Sequence, residues 1–159
     1  MFLVGPEAHI RNLLQGDRTA RKFGPKMMIG YIPDSFGHIG QLPQILRGFG
    51  IQVASLWRGV QDGSAEIWWQ APDSSRLLMA YLGEGYGNGA DLPSDNLERF
   101  ASMIADKSET LAAASATSNF LSMFGTDHMQ PPPNISQAIE YADEMLRDMQ
   151  VVHSSLPQY

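Results

Sequence analysis

Side chains that could do chemistry together stand in three short stretches of this sequence. Pro33-Asp34-Ser35-Phe36-Gly37-His38 carries a carboxylate, an aromatic ring and an imidazole. Arg58-Gly59 adds a guanidinium, and Asp127-His128 a second carboxylate and a second imidazole. Two carboxylates at one site are the apparatus of glycoside hydrolysis, in which one attacks the anomeric carbon and the other moves the leaving-group proton. A carboxylate next to an arginine stays ionised, as a nucleophile must. Plainer roles stand beside these. Asp34 after a proline could cap the helix that follows, Asp127 could be a turn residue, and Arg58 an ordinary surface cation. His38 reads as a hydrogen-bonding residue rather than a metal ligand. Trp57, Trp68 and Trp69 read as packing rather than sugar platforms.

The elements that must position these residues follow from periodicity. Residues 8–23 predict an amphipathic helix, with Ile10, Leu13, Leu14 and Ala20 near helical spacing, stopped by Gly24-Pro25. Residues 27–32 are a continuous apolar run, fit for a strand buried on both faces. Residues 38–49 predict a second helix whose true start is near Leu42, because Pro43 is tolerated only in a first turn. Gly50 stops it. Residues 51–57 give the next strand. Residues 65–70 and 75–82 give a hairpin across the turn Pro72-Asp73-Ser74-Ser75. A Gly-rich loop spans 83–91. A helix over 95–113 is opened by Asp95, with Glu98 three residues on. Residues 120–124 read as a short apolar strand before the loop Gly125-Thr126-Asp127-His128. The last helix runs over 135–149, capped by Asn134. The order predicts an α/β fold, a mainly parallel sheet with crossover helices. In such sheets ligands bind beyond the carboxyl ends of the strands, which puts Asp34, Arg58 and Asp127 at one edge.

Composition narrows the classes. The chain has 159 residues, about one domain, with 43% hydrophobic and 18% charged residues, which argues against disorder. A net charge of −6 with no Lys/Arg run argues against nucleic acid. No apolar stretch approaches the length of a membrane span. The opening MFLVGPEAHIR lacks a basic segment and a long enough apolar run for a signal peptide. The absence of cysteine removes disulfides and thiolate metal sites. A cytoplasmic location is expected.

With these residues in place, a family resemblance emerges. Gly30-Tyr31-Ile32-Pro33-Asp34-Ser35-Phe36-Gly37-His38, continuing through Gln41-Leu42-Pro43-Gln44-Ile45-Leu46 to Gly48-Phe49-Gly50, resembles the nucleophile segment of glycoside hydrolase family 38, the retaining α-mannosidases. Ile10-Arg11-Asn12-Leu13-Leu14, Leu56-Trp57-Arg58-Gly59-Val60, Ala71-Pro72-Asp73-Ser74-Ser75 and Gly125-Thr126-Asp127-His128 recur at matching places.

The resemblance implies that Asp34 is the nucleophile and a ligand of a catalytic Zn²⁺, or of another divalent cation. It implies that Phe36 lines the sugar subsite, that Arg58 contacts the catalytic carboxylates, and that Asp127 is the general acid/base. Tyr86 matches a substrate-contacting tyrosine. The implied fold is part of an α/β barrel, the implied partner a mannose-containing carbohydrate. The sequence departs from the family at the metal. No H-x-D pair occurs at His9 or His38, and His153 sits in an unlike tail, so Asp34 alone of the expected ligands is present. Residues 1–159 are therefore expected to be a partial family 38 N-terminal catalytic domain with both ends missing, inactive in isolation and completed by the remaining domains of a parent chain. The competing reading is a non-catalytic carbohydrate-binding or structural remnant.

Overall fold

The computed structural model describes residues 4–60 and 63–159. The first residues of the opening apolar run, Met1–Leu3, lie outside them. The chain divides into two compact units, Met1–Leu82 and Gly83–Tyr159.

The first unit holds a four-stranded sheet. Helix α1 (Pro6–Ala20) precedes strand β1 (Ile29–Ile32), and helix α2 (Leu42–Gly48) crosses to strand β2 (Val53–Leu56). Strands β3 (Glu66–Gln70) and β4 (Arg76–Tyr81) form the expected hairpin. The spatial order is β1-β2-β4-β3, with β1, β2 and β4 parallel and β3 antiparallel at one edge. The hairpin turn works as its residues demand. Asp73 accepts the Ser75 amide at 3.0 Å, and Ser74 takes the left-handed conformation at φ 69°.

Apolar residues of β1, β2 and β4 bury Ile32, Ala54, Leu56, Leu77 and Met79 against Leu42 and Leu46 of α2. Gly30 allows that approach, since a Cβ there would sit 2.9 Å from Leu46 Cδ1 and 3.2 Å from Ala54 Cβ. Pro43 does sit in the first turn of α2, and Gly50 follows its end at φ 79°. Helix α1 is a different case. Its sequence is amphipathic, yet none of its residues is buried. Its last turn is tied to the segment before β1 by Asp17, which accepts from Lys26 and, at 2.9 Å, from Arg21. The Lys26 ammonium and then the Arg21 guanidinium hold the Asp17 carboxyl below its ordinary range.

The second unit is built on helices α3 (Leu97–Ala114) and α4 (Ile135–Met145). Phe100 and Ala101 of α3 pack with Ala138 and Ala142 of α4, flanked by Leu97, Ile104, Ile135, Ile139 and Phe124. Two sequence expectations change here. The cap of α3 is Asn96, whose side chain accepts the Arg99 amide at 3.0 Å, not Asp95. The helix begins one residue later than the Asp95–Glu98 spacing implies. Asn134 stands at the N-cap of α4 without a side-chain bond to it.

The strand expected over 120–124 does not form, and among the described residues the second unit has no strand. Its place is taken by an irregular segment bonded to the Gly-rich loop. The fold is thus mixed α/β with a mostly parallel sheet, but the sheet has four strands and does not include the Asp127 segment.

Candidate active site

Parallel pairing places the first cluster. Ile32 of β1 is registered with Leu56 of β2. Asp34 and Arg58 each lie two residues beyond that pair, so they leave neighbouring strands at the same height. Neighbouring strands are only about 4.8 Å apart, within reach of a side-chain bond. The bond is made, with Arg58 Nε donating to Asp34 Oδ1 at 2.5 Å.

Two rings fix the guanidinium. Its central carbon lies 4.2 Å from the centroid of Phe36 and 4.0 Å from that of Trp57. Each such contact adds attraction between the cation and a π face, and two together leave Arg58 little freedom. Asp34 and Arg58 are both about a third exposed, at 39% and 34% of their side-chain surface, so the pair opens to solvent on one side. Phe36 is 80% exposed and presents an apolar surface beside the carboxylate.

His38 holds the backbone of the same corner. Its Nε2 lies 3.3 Å from the Arg58 carbonyl. A carbonyl only accepts, so the proton is on Nε2 and Nδ1 carries a lone pair. That Nδ1 is buried and has no hydrogen-bond partner. The ring meets Trp69 edge-on at 5.7 Å. Burial lowers the His38 pKa, partly countered by the bond to Arg58. The reading of His38 as a hydrogen-bonding residue agrees with this geometry. Gly59 turns the chain after Arg58 at φ 93°, where a side chain would be strained.

The second cluster lies in the second unit. Tyr86 Oη donates to Asp127 Oδ2 at 3.1 Å. Asp127 occupies the corner of a turn closed by the Met129 amide on the Thr126 carbonyl at 3.3 Å. His128, next to it, has φ 61°, a conformation in which histidine is over-represented but still uncommon. The five site residues read from the sequence therefore form two groups: Asp34, Phe36 and Arg58 in one, Tyr86 and Asp127 in the other.

Some site residues escaped the sequence reading. Trp57 packs on a charged group, its ring covering Arg58. Its place next to an arginine at a strand end was the available signal. Trp68 is 61% exposed and packs on the hairpin under Arg76. Asn88 went unnoticed inside the Gly-rich loop, although its amide bonds the Asp127 segment at two points.

Among the described residues no group of three or more His, Asp or Glu side chains could hold a metal ion. His38 turns one nitrogen to a backbone carbonyl. Asp34 can contribute a single ligand, whereas zinc sites take three or four from protein. The described residues do not by themselves fit a resident cation.

In the first unit Arg58 thus holds the Asp34 carboxylate beyond the ends of parallel strands, and in the second Tyr86 bonds the Asp127 carboxylate on a turn. The family model for the glycosyl hydrolases family 38 N-terminal domain matches residues 2–159, and the chain belongs to that family. It is 36% identical to a putative mannosylglycerate hydrolase of Halalkalibacterium halodurans, over 99% of this chain and 19% of that protein. It is 45% identical to α-mannosidase G of Dictyostelium discoideum, over 57% of this chain and 9% of that protein. The crystal structure of an α-mannosidase from Enterococcus faecalis V583 superposes with a TM-score of 0.92 at 30% identity, covering 99% of this chain and 18% of that one. The chain thus spans about a fifth of the length of the two bacterial proteins, at 19% and 18%, and 9% of the Dictyostelium one. No helix among the described residues is long and apolar enough to cross a membrane.

Proposed function

We propose that this chain is the part of a retaining α-mannosidase that carries both catalytic carboxylates, Asp34 as nucleophile and Asp127 as general acid/base. The observation that carries the reading is the Arg58–Asp34 bond at the ends of paired parallel strands, with the Arg58 guanidinium against two rings. A nucleophile must be oriented before it attacks, and this arrangement orients one carboxylate oxygen while the side chain still meets solvent. In the first step an Asp34 oxygen bonds to the anomeric carbon as the glycosidic C–O bond breaks. Asp127 gives its proton to the departing oxygen. In the second step Asp127 takes a proton from water, whose oxygen displaces Asp34. Phe36 offers an apolar wall to the sugar ring, and the Tyr86 hydroxyl orients Asp127 or a sugar hydroxyl.

Mannose-containing carbohydrate is the proposed substrate class, in keeping with the names of the relatives. Asp34 would be one ligand of a divalent cation, zinc first among candidates, with the other ligands from outside the described residues. Barrel closure by strands beyond this sheet, further domains of a longer chain and residence in the cytoplasm belong to the same reading.

The test uses the intact enzyme that carries this segment. Asp34→Ala is expected to reduce cleavage of an aryl α-mannoside by about 10⁴-fold or more, as loss of a nucleophile does in other covalent enzymes. A slowly released fluorinated mannoside should leave its adduct on Asp34. Near-normal turnover, or an adduct on another residue, overturns the assignment.

A further inference from the structure

Asp127 is not on a strand, so something else must fix it. The Gly-rich loop does so through one side chain. Asn88 Nδ2 donates to the Leu121 carbonyl at 3.2 Å, and Asn88 Oδ1 accepts the Met123 amide at 2.7 Å. These are the two bonds that a residue of a parallel strand makes to the neighbours of its partner. The Asn88 carboxamide therefore supplies the N–H and C=O that a strand residue opposite Ser122 would supply. Its orientation is fixed chemically. A carbonyl must meet the NH₂ and an amide N–H must meet the oxygen, so a flipped amide would lose both bonds.

The loop backbone continues the pairing, since the Gly89 amide donates to the Met123 carbonyl at 2.9 Å. Close contact on both sides of Asn88 depends on missing side chains. A Cβ at Gly89 would lie 2.5 Å from Ser122 Oγ and 3.1 Å from the Met123 carbonyl oxygen. A Cβ at Gly87 would lie 2.9 Å from Thr126 Cβ and 3.1 Å from the Gly125 carbonyl oxygen. The two glycines thus press the loop against residues 122–126, immediately before Asp127. Tyr86, two residues before Asn88, bonds Asp127 itself.

From this geometry we infer that Asn88 is a positioning residue for the acid/base: its carboxamide replaces a missing strand and holds the 121–127 segment so that Asp127 meets Tyr86. The inference rests on the assignment of Asp127 as general acid/base. The Asn88 carboxamide bonds backbone, not the Asp127 side chain. Its effect passes through the Leu121 and Met123 backbone.

The experiment compares leaving groups in the intact enzyme. Asp127→Ala should slow aryl α-mannosides with poor leaving groups far more than those with good ones, because only the former need the proton. Asn88→Ala should show the same slope in smaller measure, about tenfold for the poorest leaving group and within about twofold for the best. Asn88→Asp keeps the shape and the acceptor for Met123 but loses the donor to Leu121, and should fall between wild type and Asn88→Ala. It also carries the comparison should Asn88→Ala not fold. Hydrogen exchange in the peptide containing Met123 should quicken in Asn88→Ala, while that in α3 stays unchanged. Equal slowing of all leaving groups by both Asn88 variants, with the slope intact in Asp127→Ala, overturns the role of Asn88 and leaves the acid/base assignment standing. No slope in Asp127→Ala overturns the assignment itself, and the positioning role with it.

Discussion

Asp34 and Asp127 are both carboxylates just beyond an apolar run, yet they are held by unlike means. Asp34 follows a strand with a registered parallel neighbour, and its partner Arg58 leaves that neighbour at the same height. Its position is inherited from the sheet and locked by a charged bond and two rings. Asp127 has no sheet behind it. Its position comes from a turn, a tyrosine hydroxyl and a loop pressed close by two glycines and one carboxamide. The contrast suits the two proposed roles. A nucleophile must present one oxygen along one line of attack. An acid/base need only hold a proton within reach of two successive oxygens. Rigid support from regular backbone serves the first task, and support by a few replaceable contacts suffices for the second.

The largest effect is expected at Arg58. If Asp34 depends on orientation and not merely on a nearby positive charge, Arg58→Lys should fail to preserve activity in the intact enzyme. A lysine keeps the charge but has neither the planar fork nor the flat face that Phe36 and Trp57 contact. A loss of about 10²-fold in kcat, with a much smaller change in KM, is expected from misorientation of this kind. A lysine variant with near wild-type kcat would reduce the ring contacts to packing and leave the two carboxylates supported alike.

The same contrast explains what was legible in the sequence. Strands β1, β2 and the β3–β4 hairpin were readable because apolar runs and turn residues encode them locally. Parallel order then made the neighbouring positions of Asp34 and Arg58 readable too. The apolar run at 120–124 was read as a strand, but an apolar run states only a wish for burial, not a backbone partner. Its partner proved to be in large part the Asn88 side chain, which no periodicity marks. The α1 pattern misleads in the opposite direction, since an apolar face with Ile10 and Leu14 remains 43% and 42% exposed. In sequence, an indole that packs on a guanidinium, as Trp57 does, looks like one that packs in a core.

Stability should divide along the same line, with smaller effects. Gly89→Ala places a methyl against the Met123 carbonyl, which is backbone and cannot turn away. Overpacking of this kind costs about 1–3 kcal/mol, and the upper half of that range is expected. Gly30→Ala in the sheet meets chiefly the Leu46 side-chain tip, which can rotate, and Ala54. Its cost should lie near the low end, about 1 kcal/mol, offset in part by the entropy that alanine removes from the unfolded chain. Urea midpoints for the two variants measure the difference. A larger loss for Gly30→Ala would mean that the loop yields more readily than its contacts imply.

The smallest expected effect concerns His38, whose ring supports the first cluster without belonging to the charged pair. Burial keeps its pKa below the ordinary 6.5, so the unfolded chain takes up this proton more readily than the folded one. The stability contributed by the neutral ring is complete above 6.5 and is lost progressively as pH falls below that value. His38→Gln retains an N–H to donate to the Arg58 carbonyl but does not titrate. From about pH 8 down to about pH 5, the unfolding midpoint of wild type should therefore fall relative to that of the glutamine variant, with the two closest at the alkaline end. If glutamine restores the alkaline stability but not the orientation of Arg58, the loss will show in kcat and not in the melt. Parallel pH curves for the two proteins would mean that the buried nitrogen of His38 is solvated in solution, and that the Asp34 corner is as adaptable as the loop that carries Asp127.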